Sequence, residues 1–336
     1  MSVGLVDLGE RVKPMPVTDI MKKNISFASV VPGERIQVRI TAPGDASDIC
    51  GIIQIAHGMA EHSGLYEDFA YTMAEQGFLV AANDHLGHGR SVSSGGAFGY
   101  FGEGGCHNLV SDMKKLSTIL RQEHPDVPLI LLGHSMGSFL VRDYLARFGT
   151  ELAAAIILGT GEIPNQLVWK SQCLLAEKIV KKKGPKGHDP LFARLSTQRF
   201  NKFFAPNRTP NDWLSRDTAE VDRYTADPLC GFQLTVSGYR DILLLQGEIA
   251  GEVWANKVPD IPILVLSGEK DPVGDFGKGV LRVIKALEAT GHTVDWELYP
   301  EARHVLLCEI NKTEVTRRIL RFILEKAGIP QDEESL

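Results

Sequence analysis

The pentapeptide GHSMG at residues 133–137 has the spacing G-x-S-x-G, in which the central serine can act as a nucleophile. It follows an apolar run at 129–132, typical of a buried strand, and it precedes helical periodicity over 138–148. A sharp turn from strand to helix would strain the serine and expose its hydroxyl at the positive end of the helix. We therefore predict Ser135 as the nucleophile; the alternative is a glycine-rich turn with a capping serine.

A serine hydroxyl is a weak nucleophile at neutral pH, so it needs a histidine base, and that base needs an acid to orient it. Where G-x-S-x-G joins a strand to a helix, the acid and then the histidine follow the serine along the chain. Asp271 comes just after the apolar run 263–266 and is the first candidate for the acid. Asp275 is the second candidate and Glu269 the third.

The candidate base is His304, which follows the predicted strand 294–299. His292 precedes that strand and would lie at the opposite edge of the sheet, where it is a helix-terminus residue. The sequence therefore predicts a catalytic triad of Ser135, Asp271 and His304.

A tetrahedral intermediate also needs hydrogen-bond donors for its oxyanion. One donor should be the backbone amide of Met136, directly after the serine. The second should come from the loop at 57–62, which follows the apolar run 52–56. Gly58 would let this backbone approach the substrate closely, and the amide of Met59 is the predicted donor.

The remaining histidines, the cysteines and the glycine-rich segments do not predict a cofactor or metal site. The segment DHLGHG at 84–89 contains two histidines but lacks a third ligand at metalloenzyme spacing, so we interpret them as structural. His57 and His62 are expected to brace the oxyanion loop. The five cysteines contain no C-x-x-C pair, which argues against a zinc site and a disulfide framework. Neither a G-x-G-x-x-G nor a Walker motif is present, so no nucleotide cofactor is expected.

Composition narrows the class of protein. The chain has 336 residues, with 36 lysines and arginines against 42 aspartates and glutamates, and a formal net charge of −6. This balance disfavours nucleic-acid binding, which needs a basic surface. No apolar stretch of about 18 residues could span a bilayer, and no apolar signal segment follows the N-terminus. These features, together with cysteines that are expected to be unpaired, predict a cytoplasmic protein.

Short apolar strands alternate with amphipathic helices along the chain, which predicts a mostly parallel sheet with helices on both faces. The predicted buried strands are at 52–56, 78–82, 129–132, 153–158, 263–266 and 294–299. A hairpin at 25–42 shows the two-residue alternation of an antiparallel pair.

We divide the chain into an N-terminal arm at 1–24, a core at 25–160 and 246–330, and an inserted cap at 161–245. The cap is too long for a simple connection and should lie over the carboxyl edge of the sheet, where ligands bind in such folds. A lysine run at 181–183 is interpreted as a solvated helix end, with contact to a membrane surface as the alternative.

Five motifs together resemble the α/β-hydrolase family of monoacylglycerol lipases and lysophospholipases, whose broader relatives are serine aminopeptidases of the prolyl type. They are HGMAEHSGLY at 57–66, DHLGHGRS at 84–91, GHSMG at 133–137, DPV at 271–273, and His304. The likeness runs from about residue 25 to 325 and implies the α/β-hydrolase fold with a helical cap. It also implies the triad and the two oxyanion donors named above. Where the family usually has arginine, this chain has Leu65.

These observations predict a serine carboxylic-ester hydrolase acting on monoacyl lipids or similar small acyl esters, with transient contact of the cap with membranes or micelles. One alternative is an aminopeptidase, in which an acidic cap residue would hold the substrate ammonium group. Its candidates are Glu162, Glu177, Asp212 and Glu220. The other alternative is a non-catalytic binder of a small apolar ligand. Oligomeric state, acyl-chain length and headgroup are not predicted.

Overall fold

A computed structural model describes residues 19–329, except 164 and 196. Its strands are β1 Ile20–Ala28, β2 Arg35–Pro43, β3 Gly51–Ala56, β4 Phe78–Asn83, β5 Leu129–His134, β6 Ala154–Leu158, β7 Ile263–Gly268 and β8 Val294–Tyr299. Its helices are α1 Glu67–Ala74, α2 Cys106–Glu123, α3 Met136–Phe148, α4 Gln166–Lys183, α5 Pro190–Leu195, α6 Thr197–Phe200, α7 Thr218–Ala226, α8 Val236–Glu248, α9 Gly251–Ala255, α10 Lys278–Ala289 and α11 Lys312–Lys326.

The strands form one sheet in the order β1-β2-β4-β3-β5-β6-β7-β8. β1, β2 and β4 pair in an antiparallel manner, and the pairs from β4 through β3 to β8 are parallel. Every residue of β3 to β7 is buried, as expected for strands covered on both faces. This confirms the predicted mostly parallel α/β sheet.

Alternate residues of the strands supply two hydrophobic layers, because successive side chains of a strand point to opposite faces. Ile52 belongs to the layer formed with α2, α3 and α10, whereas Ile53 and Ile55 belong to the layer formed with α1 and α11. The two layers hold the central strands rigidly, so the loops at their carboxyl ends have fixed positions.

Two predicted boundaries differ from the observed elements. Residues 20–24 of the predicted arm form the first part of β1, and residues 1–18 lie outside the described part of the chain. The predicted end of the cap, residue 245, falls inside α8. Below, "the insertion" means the segment between β6 and β7, which carries α4 to α9. Among the described residues, no helix is both long and apolar enough to cross a bilayer.

Candidate active site

Ser135 occupies the turn between β5 and α3 and has φ of 54°, a conformation that is rare for residues other than glycine. Its backbone N–H donates to the Leu158 carbonyl of β6 at 3.0 Å, and its carbonyl accepts from the Ser138 N–H at 2.9 Å. Ser135 is half-buried, although its neighbours on both sides are buried. This is the strained strand-to-helix turn that the pentapeptide predicts.

Close backbone contacts explain the glycines around Ser135. A Cβ on Gly137 would overlap the Ala56 carbonyl of β3, and one on Gly133 would overlap the Gly137 carbonyl. A Cβ on Gly58 would lie 3.1 Å from the Cβ of Ser135. Glycine at these positions therefore lets the loop after β3 pack directly against the serine turn.

Asp271 and His304 form a buried pair at the ends of β7 and β8. Nδ1 of His304 lies 2.9 Å from Oδ2 of Asp271, and the two residues are 2% and 0% exposed. The other carboxylate oxygen of Asp271 accepts the Val273 N–H at 2.8 Å. Because Asp271 accepts the Nδ1 proton, Nε2 of His304 carries the lone pair that a base requires.

The other candidate acids lie outside this pair. Asp275 forms an ion pair with Arg282 at 3.2 Å, and Glu269 is exposed. His292 contacts backbone carbonyls of Leu287 and Val258, away from Asp271. Of the three carboxylates, Asp271 is therefore the one that contacts His304.

His304 lies beside the end of β5 and β6, where Ser135 also lies. Its ring centroid is 4.8 Å from that of His134, the residue before Ser135. A Cβ on Gly159, which follows Leu158, would lie 3.3 Å from His304 Cε1. The hydrogen bonds of the described residues do not include one between the Ser135 hydroxyl and His304. Such catalytic bonds commonly tighten only when substrate binds.

The backbone amides of Met59 and Met136 make none of the hydrogen bonds found among the described residues. Met136 is the first residue of α3, where an N–H has no partner inside the helix. Met59 lies in the loop that Gly58 brings against Ser135. Neither amide is therefore engaged by another group among the described residues.

Glu61 holds this loop in place and was not identified from the sequence as a site residue. It is 4% exposed, and its Oε1 accepts from the Gly58 N–H at 2.5 Å and from the Tyr66 hydroxyl at 2.6 Å. The same oxygen lies 3.2 Å from Nδ1 of His134. Glu61 is the only acidic residue of the loop at 57–62, and that was the available sequence signal.

Charge pairing governs the protonation of Glu61 and His134. Burial by itself would raise the pKa of Glu61, but the facing imidazole and its hydrogen bonds outweigh burial and hold that pKa well below its usual range. Burial by itself would lower the pKa of His134, but the Glu61 carboxylate outweighs it and raises that pKa. The two shifts indicate a buried ion pair directly behind Ser135.

His57, His85 and His88 form a separate cluster of buried rings, tilted or edge-on to one another, behind the same loop. The His57 ring centroid lies 4.2 Å from that of His85 and 5.1 Å from that of His88. Nδ1 of His57 contacts the Gly58 carbonyl at 2.7 Å, so this histidine braces the loop. Burial lowers the pKa of each of the three to about 3, and all three are therefore neutral at pH 7.

His62, Asp227 and Cys230 are the candidate metal ligands found within the described ranges. Nδ1 of His62 accepts the Gly64 N–H at 3.1 Å, so Nε2 carries the proton and donates it to Asp227 at 3.0 Å. A metal on Nε2 would need the opposite tautomer, whose Nδ1 proton would face the Gly64 N–H. We therefore interpret this group as a hydrogen-bonded link between the loop after β3 and the turn after α7.

Leu65, at the position where the resembled family has arginine, lines a small apolar cavity behind Glu61. The cavity has a volume of about 20 Å³, which is room for one water molecule, and Val305 and Arg223 also line it. The cavity is too small for a lipid headgroup, so it offers no binding site of that kind.

Comparison with known proteins places these features in a family context. The chain matches the protein family described as "Serine aminopeptidase, S33" over residues 47–311. It is 32% identical to a monoacylglycerol lipase of Mycolicibacterium smegmatis, over 84% of this chain and 90% of the lipase. It is 28% identical to the mouse monoglyceride lipase, over 80% of this chain and 79% of the lipase. Among solved structures, a thermostable carboxyl esterase of Bacillus coagulans, bound to glycerol, superposes with a TM-score of 0.84 at 32% identity, covering 92% of this chain and 99% of the esterase.

Proposed function

We propose that this chain, which belongs to the serine aminopeptidase S33 family of α/β-hydrolases, hydrolyses the ester bond of monoacyl lipids through Ser135, His304 and Asp271. The observation that carries the proposal is the buried Asp271–His304 hydrogen bond at the rim where Ser135 occupies a strained turn. The names of the relatives, monoacylglycerol and monoglyceride lipases and a carboxyl esterase, support the reaction and the class of substrate.

In the proposed mechanism, the proton of the Ser135 hydroxyl passes to Nε2 of His304 while Oγ bonds to the acyl carbonyl carbon. The π-electron pair moves to the carbonyl oxygen, and the amides of Met59 and Met136 bind this oxyanion. When the intermediate collapses, the carbon–oxygen bond to the alcohol breaks and the alcohol takes the proton from Nε2. Water then attacks the acyl-Ser135 ester by the same steps, which releases the fatty acid and restores Ser135. No cofactor enters the mechanism.

The contacts of acidic residues in the insertion favour an ester substrate over a peptide bound by its terminal amine. Each acidic candidate for binding a substrate ammonium group already has a partner: Glu162 pairs with Arg142, Glu177 with Arg240, Asp212 accepts from Arg208 and Thr209, and Glu220 pairs with Arg223 and Lys312. A substrate amine would have to displace a cation or several hydrogen bonds at any of them.

We also propose that the insertion is a cap whose helix α4 contacts lipid surfaces. Leu167, Val168 and Leu174 on this helix are 78%, 51% and 66% exposed. The lysine run at 181–183 follows at the exposed end of the helix. Free cysteines at all five positions support a cytoplasmic location as part of the same proposal.

A substrate panel tests the reaction. Hydrolysis of monoacylglycerols and p-nitrophenyl acyl esters of graded chain length is compared with hydrolysis of proline p-nitroanilide. We expect ester turnover that falls as the pH is lowered, because a histidine base must be neutral to act.

Ser135→Ala is the control variant for this panel, and a fluorophosphonate probe should label Ser135 in the unmodified protein. Labelling at another residue, or full ester hydrolysis by Ser135→Ala, would refute the proposed nucleophile. Efficient cleavage of the proline anilide with no ester turnover would instead favour the aminopeptidase.

A further inference from the structure

Trp213, which belongs to the insertion, lies flat against the imidazole of His304. The two ring centroids are 4.9 Å apart and the ring planes differ by 27°. Trp213 is 6% exposed and His304 is 2% exposed, so little water reaches the space between them. An aromatic face within about 6 Å of a cation attracts it through the ring quadrupole, most strongly for tryptophan and where water is excluded.

The backbone around Trp213 is fastened to the loop that carries His304. The guanidinium of Arg303 donates to the carbonyls of Asp212 and Ser215, which lie on either side of Trp213. The Val305 N–H donates to the Leu214 carbonyl at 2.8 Å. Both neighbours of His304 are therefore bonded to this short segment of the insertion.

Further hydrogen bonds support the same segment from behind. The carboxylate of Glu309, which is fully buried, accepts from Arg216 Nε at 2.8 Å and from the Arg303 N–H at 2.8 Å. The backbone N–H of Trp213 donates to Oδ1 of Asn201 at 3.0 Å, and its indole Nε1 is buried without a hydrogen-bond partner among the described residues. The backbone that carries the indole is thus bonded to the loop of His304 and to the residues behind it, and the indole itself packs against His304 and Phe200.

We propose that Trp213 is a positioning residue for the reaction, whose ring face aligns His304 and stabilises the imidazolium that forms when the Ser135 proton is transferred to Nε2. The inference rests on the proposed function, in which His304 is the base. The stacked arrangement favours the charged ring, because the π face of the indole presents negative charge to it.

Other charged or titratable groups face His304 from each element packed against it. They are Asp271 after β7 and His134 at the end of β5, with Glu61 behind it. The guanidinium of Arg303, the residue before His304, lies over the Phe204 ring and donates to the Asp212 and Ser215 carbonyls. The carboxylate of Asp212 is engaged by the N–H groups of Arg208 and Thr209. None of these groups is itself replaced in the Trp213 variants, and the variants therefore change only the ring that lies against His304.

The test measures kcat/KM for a soluble p-nitrophenyl ester from pH 5 to 9 in Trp213→Leu and Trp213→Phe. In Trp213→Leu we expect kcat/KM at its plateau to fall about 2- to 30-fold. In a plot of kcat/KM against pH, the midpoint of the acidic limb should move to lower pH by about 0.4 to 1.5 units, because the imidazolium loses a stabilising contact. Trp213→Phe keeps a ring face and should show smaller changes in the same directions.

Trp169→Leu is the matched control, because Trp169 also belongs to the insertion but its indole donates to the Leu243 carbonyl. It should leave the acidic limb in place. A loss of rate in Trp213→Leu without movement of the limb would reduce Trp213 to a packing role and overturn the inference, as would an unchanged profile. If Trp213→Leu did not fold, an unmoved limb in Trp213→Phe would overturn it.

Full activity of Ser135→Ala in the same assay would instead overturn the proposed function. An inactive Ser135→Ala beside an unaffected Trp213→Leu would overturn this inference alone. The two failures are therefore distinguishable.

Discussion

Glu61 joins three parts of the candidate site through one carboxylate oxygen. Gly58, Tyr66 and His134 all contact its Oε1, and Gly58 immediately precedes the proposed oxyanion donor Met59. A carboxylate buried in this way is stable only with its charge partner and hydrogen bonds present. The charge of Glu61 and the position of the loop that carries Met59 are therefore coupled.

Glu61→Gln should lower both activity and stability. The amide cannot compensate the charge of His134, and breaking a buried ion pair typically costs about 3–5 kcal/mol of unfolding free energy. Displacement of the Met59 amide should reduce kcat. The largest expected reduction is that caused by losing one oxyanion donor, about 10²- to 10³-fold. Urea unfolding and kcat on a soluble ester measure the two effects.

Glu67→Gln is the matched control, since Glu67 forms an exposed ion pair with Lys22 at 2.7 Å. Exposed pairs of this kind contribute about 0–1 kcal/mol, so neither stability nor kcat should change much. If Glu61→Gln behaved like Glu67→Gln, Glu61 would not be organising the loop.

Local rules of sequence predicted the Asp271–His304 contact, whereas the residues that support it required the structure. The carboxyl ends of parallel strands meet at one edge, so a strand-end aspartate and a later strand-end histidine are brought together by topology. The contacts of Glu61 with His134 and of Trp213 with His304 join segments with no common motif or period. They depend on how the insertion and the loop after β3 pack, which no local pattern encodes.

At the level of elements, the loops after β3 and β4 enclose the three neutral histidines His57, His85 and His88. Burial lowers the pKa of each to about 3. In the unfolded chain each would titrate near 6.5, so between about pH 6.5 and pH 3 the unfolded state binds more protons. Their contribution to stability is therefore intact above pH 6.5 and is lost as the pH falls through this window.

The expected dependence of the unfolding free energy on pH can be calculated from the number of protons taken up on unfolding. Near pH 5.5 the three histidines add nearly three protons on unfolding, while Asp241, whose pKa burial raises to about 6, holds about three quarters of a proton in the folded state. The net uptake of about two protons corresponds to a loss of about 3 kcal/mol of unfolding free energy per pH unit. Urea unfolding at pH 7, 6 and 5 measures it, and equal stability at the three values would contradict the burial of neutral rings.

His88→Leu should reduce that slope by about 1.4 kcal/mol per pH unit, because it removes one of the titrating groups. At pH 7 its unfolding free energy should be unchanged or higher, since Nε2 of His88 is buried without a hydrogen-bond partner among the described residues. A steeper slope in the variant would show that acid sensitivity has another origin.

The edges of the sheet show where sequence patterns fail. β1 begins at Ile20, pairing with Pro43, although alternation is visible only from residue 25 onwards. The strand lies at the edge of the sheet, and its exposed positions include Lys22 and Lys23. Charged residues are common on edge strands because they discourage pairing with other chains, and they hide the two-residue period.

On the scale of the whole molecule, the net charge of −6 conceals a local surface of opposite character on α4. Leu167 and Leu174 are seven residues apart and therefore share a helix face, which continues to Lys178 and Lys181. These leucines face solvent, whereas Ala176 is the buried residue of α4. An apolar face that ends in lysines is suited to the interface of an anionic membrane.

Replacing this face should separate activity at a lipid surface from activity in solution. For Leu167→Ser with Leu174→Ser we expect binding to vesicles containing anionic lipid to weaken about 10-fold per leucine, because each loses about 1.5 kcal/mol of apolar transfer. Turnover of a monoacylglycerol carried in those vesicles should fall in parallel, while turnover of a soluble short-chain ester stays the same. Added salt should weaken vesicle binding of the unmodified protein, since the lysines contribute by charge. Val253→Ser, which alters a residue 76% exposed on α9, is the matched control and should retain binding. Equal loss in the control, or unchanged vesicle binding in the leucine variant, would remove α4 as the lipid-contacting element.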